Sequence, residues 1–354
     1  MRILVSHAMG PVLLAGGLLL GWMTAGPLAA QPADGASGEP HPGAEAFVGR
    51  VVAEHDLDAD FVRAVLGRAQ YQQAIIDAIT RPAEGKPWYQ YRPIFLGETR
   101  IRAGAEYWNE HRELVDRVAE RFGVPAPFVL AIIGVETNYG TITGSYRVVD
   151  ALATLGFYYP RRGEFFAREL GEYFRLAEEE GLPLEEVRGS YAGAMGLGQF
   201  IPSSYRDYAV DFDGSGSRDL WQSLPDALGS VANYLHVHGW RPDEPTALPV
   251  ESVPTSLERE FPIKPADTLD DLAELGIEFD AGDLPGDTPA TLIELEGENG
   301  PEYWVGLTNF YVITRYNRSP LYAMAVSQLA AAIAREGGVE QGPSLATYAG
   351  AAGR

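Results

Sequence analysis

No cysteine occurs in the 354-residue chain, which removes disulfides, thiolate nucleophiles and Cys-based zinc sites together. Positive charge is scarce. Lys and Arg number 27 against 49 Asp and Glu, a formal net charge of −22. Phosphate binding needs a basic face, so this balance argues against nucleic acid as a partner. It says nothing positive about substrate, because acidic surfaces mostly serve solubility. Beyond the N-terminus no run is long and apolar enough to span a membrane, and no internal repeat is visible. The six histidines are scattered. His236 and His238 in YLHVHGW stand two apart, wrong for one helix face, and read as surface residues rather than zinc ligands.

What is present is enough apolar residue, 46%, for one large core or two or three smaller ones. The start, MRILVSHAMGPVLLAGGLLLGWMTAGPLAAQ, has Arg2 ahead of a short apolar stretch from Pro11 to Trp22 and a small-residue site after Ala30. Residues 1–30 therefore read as a signal peptide, with an uncleaved N-terminal anchor as the alternative. Export to a bacterial periplasm is expected, with a soluble mature chain; lipidation of a new N-terminal cysteine is excluded. Residues 31–45 read as a flexible linker by composition. From 46 to 240 the pattern is helical, with apolar residues at three- and four-residue spacing in FVGRVVAEH, FVRAVLGRAQ, YWNEHRELVDRVAERF, FVLAIIGVE and EFFARELGEYFRLAEEE.

Residues 241–306 form a β-containing insert in which ATLIELEGENGPEYWVGL reads as a hairpin and TLDDLAELG as a short helix with Thr268 as N-cap. Helix returns over 307–335, and 336–354 read as a disordered tail.

The chemistry starts from AIIGVETNYG, where Glu136 follows an apolar run and Pro125 and Pro127 open its helix. A carboxyl group there must be paired, neutralised or used. GSYAGAMGLGQFIPSSY packs small and aromatic residues with little periodicity, and Gly193, Gly196 and Gly198 let backbone approach a ligand closely. FYYPRR and NFYVITRYNRSPLYAM set arginines beside aromatics, a mixture suited to a sugar. Together GVETNYG, YYPRR, GSYAGAMGLGQFIPSSY, DFDGSGSRDLW, SVANYL and NFYVITRYN resemble, in order, the lytic murein transglycosylase B family (glycoside hydrolase family 103) from about Phe47 to Ile333.

The resemblance implies a mainly α (α+β) fold: a lysozyme-like catalytic core with an additional helical domain and a small β-containing insert. It implies cleavage of the β-1,4 bond between N-acetylmuramic acid and N-acetylglucosamine in peptidoglycan strands. The muramic 6-hydroxyl takes the place of water and leaves a 1,6-anhydro end. Glu136 matches the single acid, which then serves as base, and its apolar helix should raise its pKa and keep it protonated. Ordinary glycosidases need two carboxylates; the nearest second acid, Asp150 in RVVDALATLGF, reads as a helix cap.

By the same resemblance Ser190 and Gln199 meet the sugar near the acid. Tyr91, Tyr234, Tyr316, Asn317 and Tyr322 fill other cleft positions, Met195 lines the floor, and Arg161 and Arg162 face the peptide stems. No cofactor is required. DFDGSGSRDLW matches the early positions of an EF-hand-like loop through Asp211, Asp213, Ser215, Gly216 and Ser217. Its twelfth position is Gln222, and Asp226 is the candidate closing acid for a structural calcium.

Plainer readings stand beside these. Arg161 and Arg162 could pair with Glu164; Tyr234 and Tyr322, within helical patterns, could be packing; DFDGSG could be a metal-free Asx turn. The whole chain could be an inactive peptidoglycan-binding or scaffolding module, or a hydrolytic muramidase. Cell-wall synthases or amidases are candidate protein partners.

Overall fold

The computed structural model describes residues 41–81 and 85–338. The expected signal peptide, most of the linker and residues 339–354 lie outside them. Three short helices come first: α1 (Ala44–His55), α2 (Ala59–Leu66) and α3 (Gln73–Ile79). α1 begins inside the last residues read as linker. α2 starts where Asp58 accepts the Phe61 N–H, satisfying one orphan donor of its first turn. Next are α4 (Trp88–Phe95), α5 (Glu98–Glu110) and α6 (Arg112–Phe122). The stretch read as one helix, YWNEHRELVDRVAERF, is thus two, broken at His111 where φ is −113° and ψ is 23°.

The remaining elements are α7 (Ala126–Thr137), β1 (Tyr146–Arg147), α8 (Val148–Tyr158), α9 (Gly163–Glu180), β2 (Arg188–Gly189), α10 (Pro202–Tyr208), α11 (Leu224–Val237), β3 (Ala247–Ser252), β4 (Asp267–Thr268), α12 (Leu269–Glu274), β5 (Glu278–Phe279), β6 (Pro289–Gly297), β7 (Gly300–Gly306), α13 (Thr308–Tyr316) and α14 (Pro320–Glu336). The chain is mainly α with a β-containing insert, as expected. The insert is a five-stranded antiparallel sheet of order β4-β6-β7-β3-β5. Its hairpin closes between Gly297 and Gly300, at the turn the sequence marks. α12 is held by a capping box between Thr268 and Asp271. Leu248, Leu272, Leu292 and Val305 form a small core of its own. The insert meets the helices at α4 and α14, where Trp88 Nε1 donates to Glu302.

α7 is the axis of the fold. Pro125 precedes it and Pro127 sits in its first turn, where a missing N–H costs nothing. Every residue from Ala126 to Thr137 is buried, so the helix has no polar face and must be enclosed. α5, α6, α11 and α14 enclose it. Its leucine, valine and isoleucine side chains each contribute roughly 1.5–3 kcal/mol by leaving water.

Beyond Thr137 the chain turns through Asn138 and Tyr139, both in the left-handed region at φ 49° and 57°, a conformation costly for side chains with a Cβ. Tyr139 is held there by its hydroxyl, which donates to Arg100 O. Its ring lies against Gly134, where a Cβ would come within 2.6 Å of the Tyr139 oxygen. Alanine outranks glycine in an ordinary helix by about 1 kcal/mol. Here Gly134→Ala is expected to lower stability by about 1–3 kcal/mol through overpacking, read as a fall in Tm.

Candidate active site

Glu136 lies in the last turn of α7 with 2% of its surface exposed. Tyr322, in the first turn of α14, donates its hydroxyl to Glu136 Oε1 at 2.7 Å. That turn is fixed by Ser319, whose Oγ accepts the Tyr322 N–H, and by Pro320 at the first helical position. Tyr322 is therefore more than packing, despite its helical spacing. Burial, and then the neighbouring Glu136 carboxylate, push the hydroxyls of Tyr322 and Tyr316 well above the ordinary tyrosine range. Both stay protonated donors. The Tyr316 ring stacks near that of Tyr322 and edges onto Tyr234. Tyr316 donates to Gly198 O and Tyr234 to Arg315 O. Tyr91, on α4, is fully enclosed, with its ring against those of Trp88 and Phe95.

The loop from Gly189 to Ile201 lies against the same region, where Tyr316 donates to Gly198 O and Thr137 Oγ1 approaches Leu197 O. Ser190 Oγ accepts the N–H groups of Ala192 and Ala194 at 3.2 and 2.9 Å. Gln199 Nε2 donates to Gly196 O at 2.9 Å and Thr143 O at 3.2 Å, and Gln199 itself is left-handed at φ 53°. The loop thus consumes the acceptor capacity of Ser190 and the donor capacity of Gln199. Gly196, at φ 70°, packs so close to Leu220 that a Cβ would lie 2.6 Å from the Leu220 Cβ.

Met195, expected on the cleft floor, has no exposed surface. Its backbone bridges to Gly189 and Phe200, which turns its side chain into the core beneath the floor. Asn317 ends α13 fully buried, and neither amide atom has a partner among the described residues. An orphaned buried amide is rare in a native fold, and the Asn317 side chain has no exposed surface.

Arg162 is the N-cap of α9, and its guanidinium stacks on Phe165 and Phe166 at 4.3 and 5.2 Å; Arg161 is exposed. Asp150 does not cap its helix: that position is Arg147. Asp150 instead accepts the Gln70 N–H at 2.9 Å and lies 3.6 Å from Arg147. Its place on the buried side of the first turn aims it at the segment before α3. His236 is exposed and His238 stacks on Tyr234.

Carboxylate oxygens of Asp211, Asp213 and Asp226 lie within 4.8 Å of one another. Asp226 is fully buried and accepts from the N–H groups of Phe212, Asp213 and Asp219. Asp211 accepts from Gly214, Ser215 and Gly216. Ser215 Oγ reaches Ser217. Gly214 and Gly216 turn the loop at φ 76° and 92°.

The transglycosylase SLT domain matches residues 40–331. The chain belongs to that family. Membrane-bound lytic murein transglycosylase B of Escherichia coli (strain K12) is 38% identical over 304 residues, 83% of each chain. The soluble lytic transglycosylase SltB1 from Pseudomonas aeruginosa superposes with a TM-score of 0.78 at 46% identity, over 84% of this chain and all of that one. The E. coli lytic transglycosylase Slt35, solved in complex with calcium, gives 0.76 at 37% identity over 85% and 95%. SltB3 from P. aeruginosa, in complex with NAG-anhNAM-pentapeptide, gives 0.70 at 34% over 83% and 79%. These likenesses agree with the resemblance carried by the motifs, and the lysozyme-like fold is that of these structures. Among the described residues of this transglycosylase no single helix is long and apolar enough to cross a membrane.

Sequence reasoning missed Thr137, Tyr139 and Arg100, which fix the turn after the acid, and Glu169, a buried acid on α9. Only the position of Thr137 and Tyr139 inside GVETNYG pointed to the first two. Glu169 accepts the Ser203 N–H at 3.0 Å and the Ser203 hydroxyl at 2.8 Å, so it holds the start of α10 directly after the loop. Burial raises its pKa from 4.5 to about 7, against those two bonds and Arg168, which lower it. Between pH 4.5 and about 7 the unfolded chain has released a proton that the folded chain keeps. Stability therefore declines as pH rises through that window. At about 1.4 kcal/mol per pKa unit the full decline is on the order of 3 kcal/mol. Glu169→Gln, a neutral mimic, should flatten the Tm-against-pH curve between pH 5 and 8 relative to the parent.

Proposed function

We propose that this lytic transglycosylase cleaves the β-1,4 bond between N-acetylmuramic acid and N-acetylglucosamine in peptidoglycan strands, with Glu136 as acid and then base. The observation that carries the reading is the buried Glu136 whose Oε1 is held by the Tyr322 hydroxyl. With Oε1 occupied as an acceptor, the acidic proton belongs on Oε2. That proton passes to the glycosidic oxygen as the bond from the muramic anomeric carbon breaks, and the glucosamine 4-hydroxyl leaves. The resulting carboxylate takes the proton of the muramic 6-hydroxyl while O6 bonds to the anomeric carbon. The proton is returned, no water is consumed, and the product ends in a 1,6-anhydro ring.

The distribution of acids supports the intramolecular route over hydrolysis. The buried carboxylates among the described residues are Glu136, Asp150, Glu169, Asp226 and Glu244. All but Glu136 bond to structural partners elsewhere: Gln70 and Arg147, Ser203, the loop of Asp226, and Arg241. A two-carboxylate site needs its second acid about 5–9 Å away across the sugar. In our reading Ser190, its oxygen already accepting twice, donates to the substrate, and Gln199 accepts through Oε1. Donor and acceptor together suit the C=O and N–H of an acetamido group. Asn317, enclosed like Tyr91, belongs to the packing behind the cleft. Arg161 and Arg162 meet acidic groups of the peptide stem, and Tyr91, Tyr234 and Tyr316 shape the cleft. In digests of purified sacculi, mass spectrometry should find muropeptides with anhydro ends, lighter by one water than reducing ends. Glu136→Gln should stay folded and release none; release at the parental rate would end the assignment.

The aspartate-rich loop fits calcium in the character of its donors. Asp211, Asp213 and Asp226 offer hard oxygen atoms around a two-glycine turn, with Ser215 and Ser217 as the remaining oxygen donors. Gln222 in place of a closing glutamate favours Asp226 in that role. A calcium ion there would brace the loop against α11 and take no part in bond cleavage. Calcium should raise Tm by an amount that grows with its concentration, EGTA should reverse the rise, and Asp213→Asn should abolish it while leaving the metal-free Tm near the parental value.

A further inference from the structure

Glu136 is the penultimate residue of α7, and helix ends are where order is lost first. Tyr322 fixes the carboxylate itself. What fixes the backbone that carries it is the next residue. Thr137 is fully buried, and its Oγ1 lies 3.1 Å from Ile133 O, 3.0 Å from Leu197 O and 3.1 Å from the Gly140 N–H, which it accepts. A threonine that bonds only the carbonyl four residues back is common in helices. The contact to Leu197 is different, because it crosses 60 residues of chain into the loop that carries Ser190 and Gln199.

The joint has a second component. Gly140, at φ 85°, lies so close to Leu197 that a Cβ there would come within 2.9 Å of the leucine Cδ2. Leu197 N–H in turn donates to Leu220 O at 2.9 Å. The turn after the acid and the loop opposite are thus interlocked through one hydroxyl and one tight glycine contact.

We propose that the Thr137 hydroxyl is a positioning group for the reaction, setting the Glu136 carboxyl in register with the sugar held by the Ser190–Gln199 loop. This rests on the reading of Glu136 as the acid. Thr137 touches no substrate; it acts through the distance between acid and glycosidic oxygen. A misplacement near 1 Å can cost about a hundredfold in rate while leaving binding intact.

The test is steady-state kinetics on a soluble peptidoglycan-strand substrate with Thr137→Val, Thr137→Ser and Ser327→Ala. Ser327 is a buried threonine-like control whose hydroxyl donates to Ala323 O at 2.8 Å within α14. Thr137→Val is expected to lose about 10- to 100-fold in kcat with KM changed less than about threefold. Thr137→Ser should recover most of that rate, and Ser327→Ala should keep parental kcat even where its Tm falls as far. Parental kcat in Thr137→Val, no recovery in Thr137→Ser, or equal kcat losses in Ser327→Ala would overturn the proposal. If the valine does not fold, Thr137→Ala against Thr137→Ser gives the same comparison. Glu136→Gln run alongside separates the two readings. An active Glu136→Gln sinks the assignment of the acid, whereas an inactive one beside a fully active Thr137→Val removes only the role of Thr137.

Discussion

A carboxyl group at the end of a helix with no polar face has few ways to be tolerated, and this fold holds Glu136 with a hydrogen bond from Tyr322. α7 is apolar up to Glu136 and is closed in by four helices, so water cannot solvate the acid from the side. The phenol that replaces water comes from α14, and its own burial keeps it a donor. Tyr316, one ring away, ties the same region to Gly198. The acid, the C-terminal helices and the glycine-rich loop therefore form one connected unit rather than three segments that happen to meet.

In that unit Ser190 and Gln199, which we propose meet the sugar, satisfy backbone groups first. Ser190 accepts from two N–H groups of its own loop, and Gln199 donates to two carbonyls. What each has left is a single polarity aimed in a direction the loop already fixes. Such a site spends little reorganisation at the moment of reaction. The left-handed Asn138, Tyr139 and Gln199 mark where the fold tolerates local strain to hold that geometry. The closeness of Gly134 to Tyr139 and of Gly140 to Leu197 explains why side chains are absent at those points.

Much of this could be read from residue order. The helices of the catalytic region, the two prolines opening α7, the GENG hairpin and the Thr268 cap follow from periodicity and local hydrogen-bonding preference, which act over a few residues. Glu136 stood out because a charge after IIGV is expensive. Local pattern failed where the partner is distant. The family resemblance alone places Tyr322 in the cleft, because nothing in its local pattern names an acid 186 positions earlier. Asp150 looked like a cap because its true partner, the Gln70 N–H, belongs to another segment. The family resemblance gives Met195 a place on the floor, but bridges to Gly189 and Phe200 within its own loop turn it inward, a geometry that periodicity does not describe. Glu169 carried no signal at all, since an acid within EFFARELGEYF reads as solvated until α10 covers it.

The separation between Glu136 and Tyr322 has a consequence for biosynthesis. The ribosome completes α7 long before α14, with the whole β-containing insert made between them. Until that last helix docks, α7 has one flank uncovered and its carboxyl lacks the phenol. A chain ending before Pro320 has the acid but lacks both the phenol that holds it and one of the four helices that enclose α7. Closure of the helical shell around α7 and completion of the hydrogen bond to its acid are the same event.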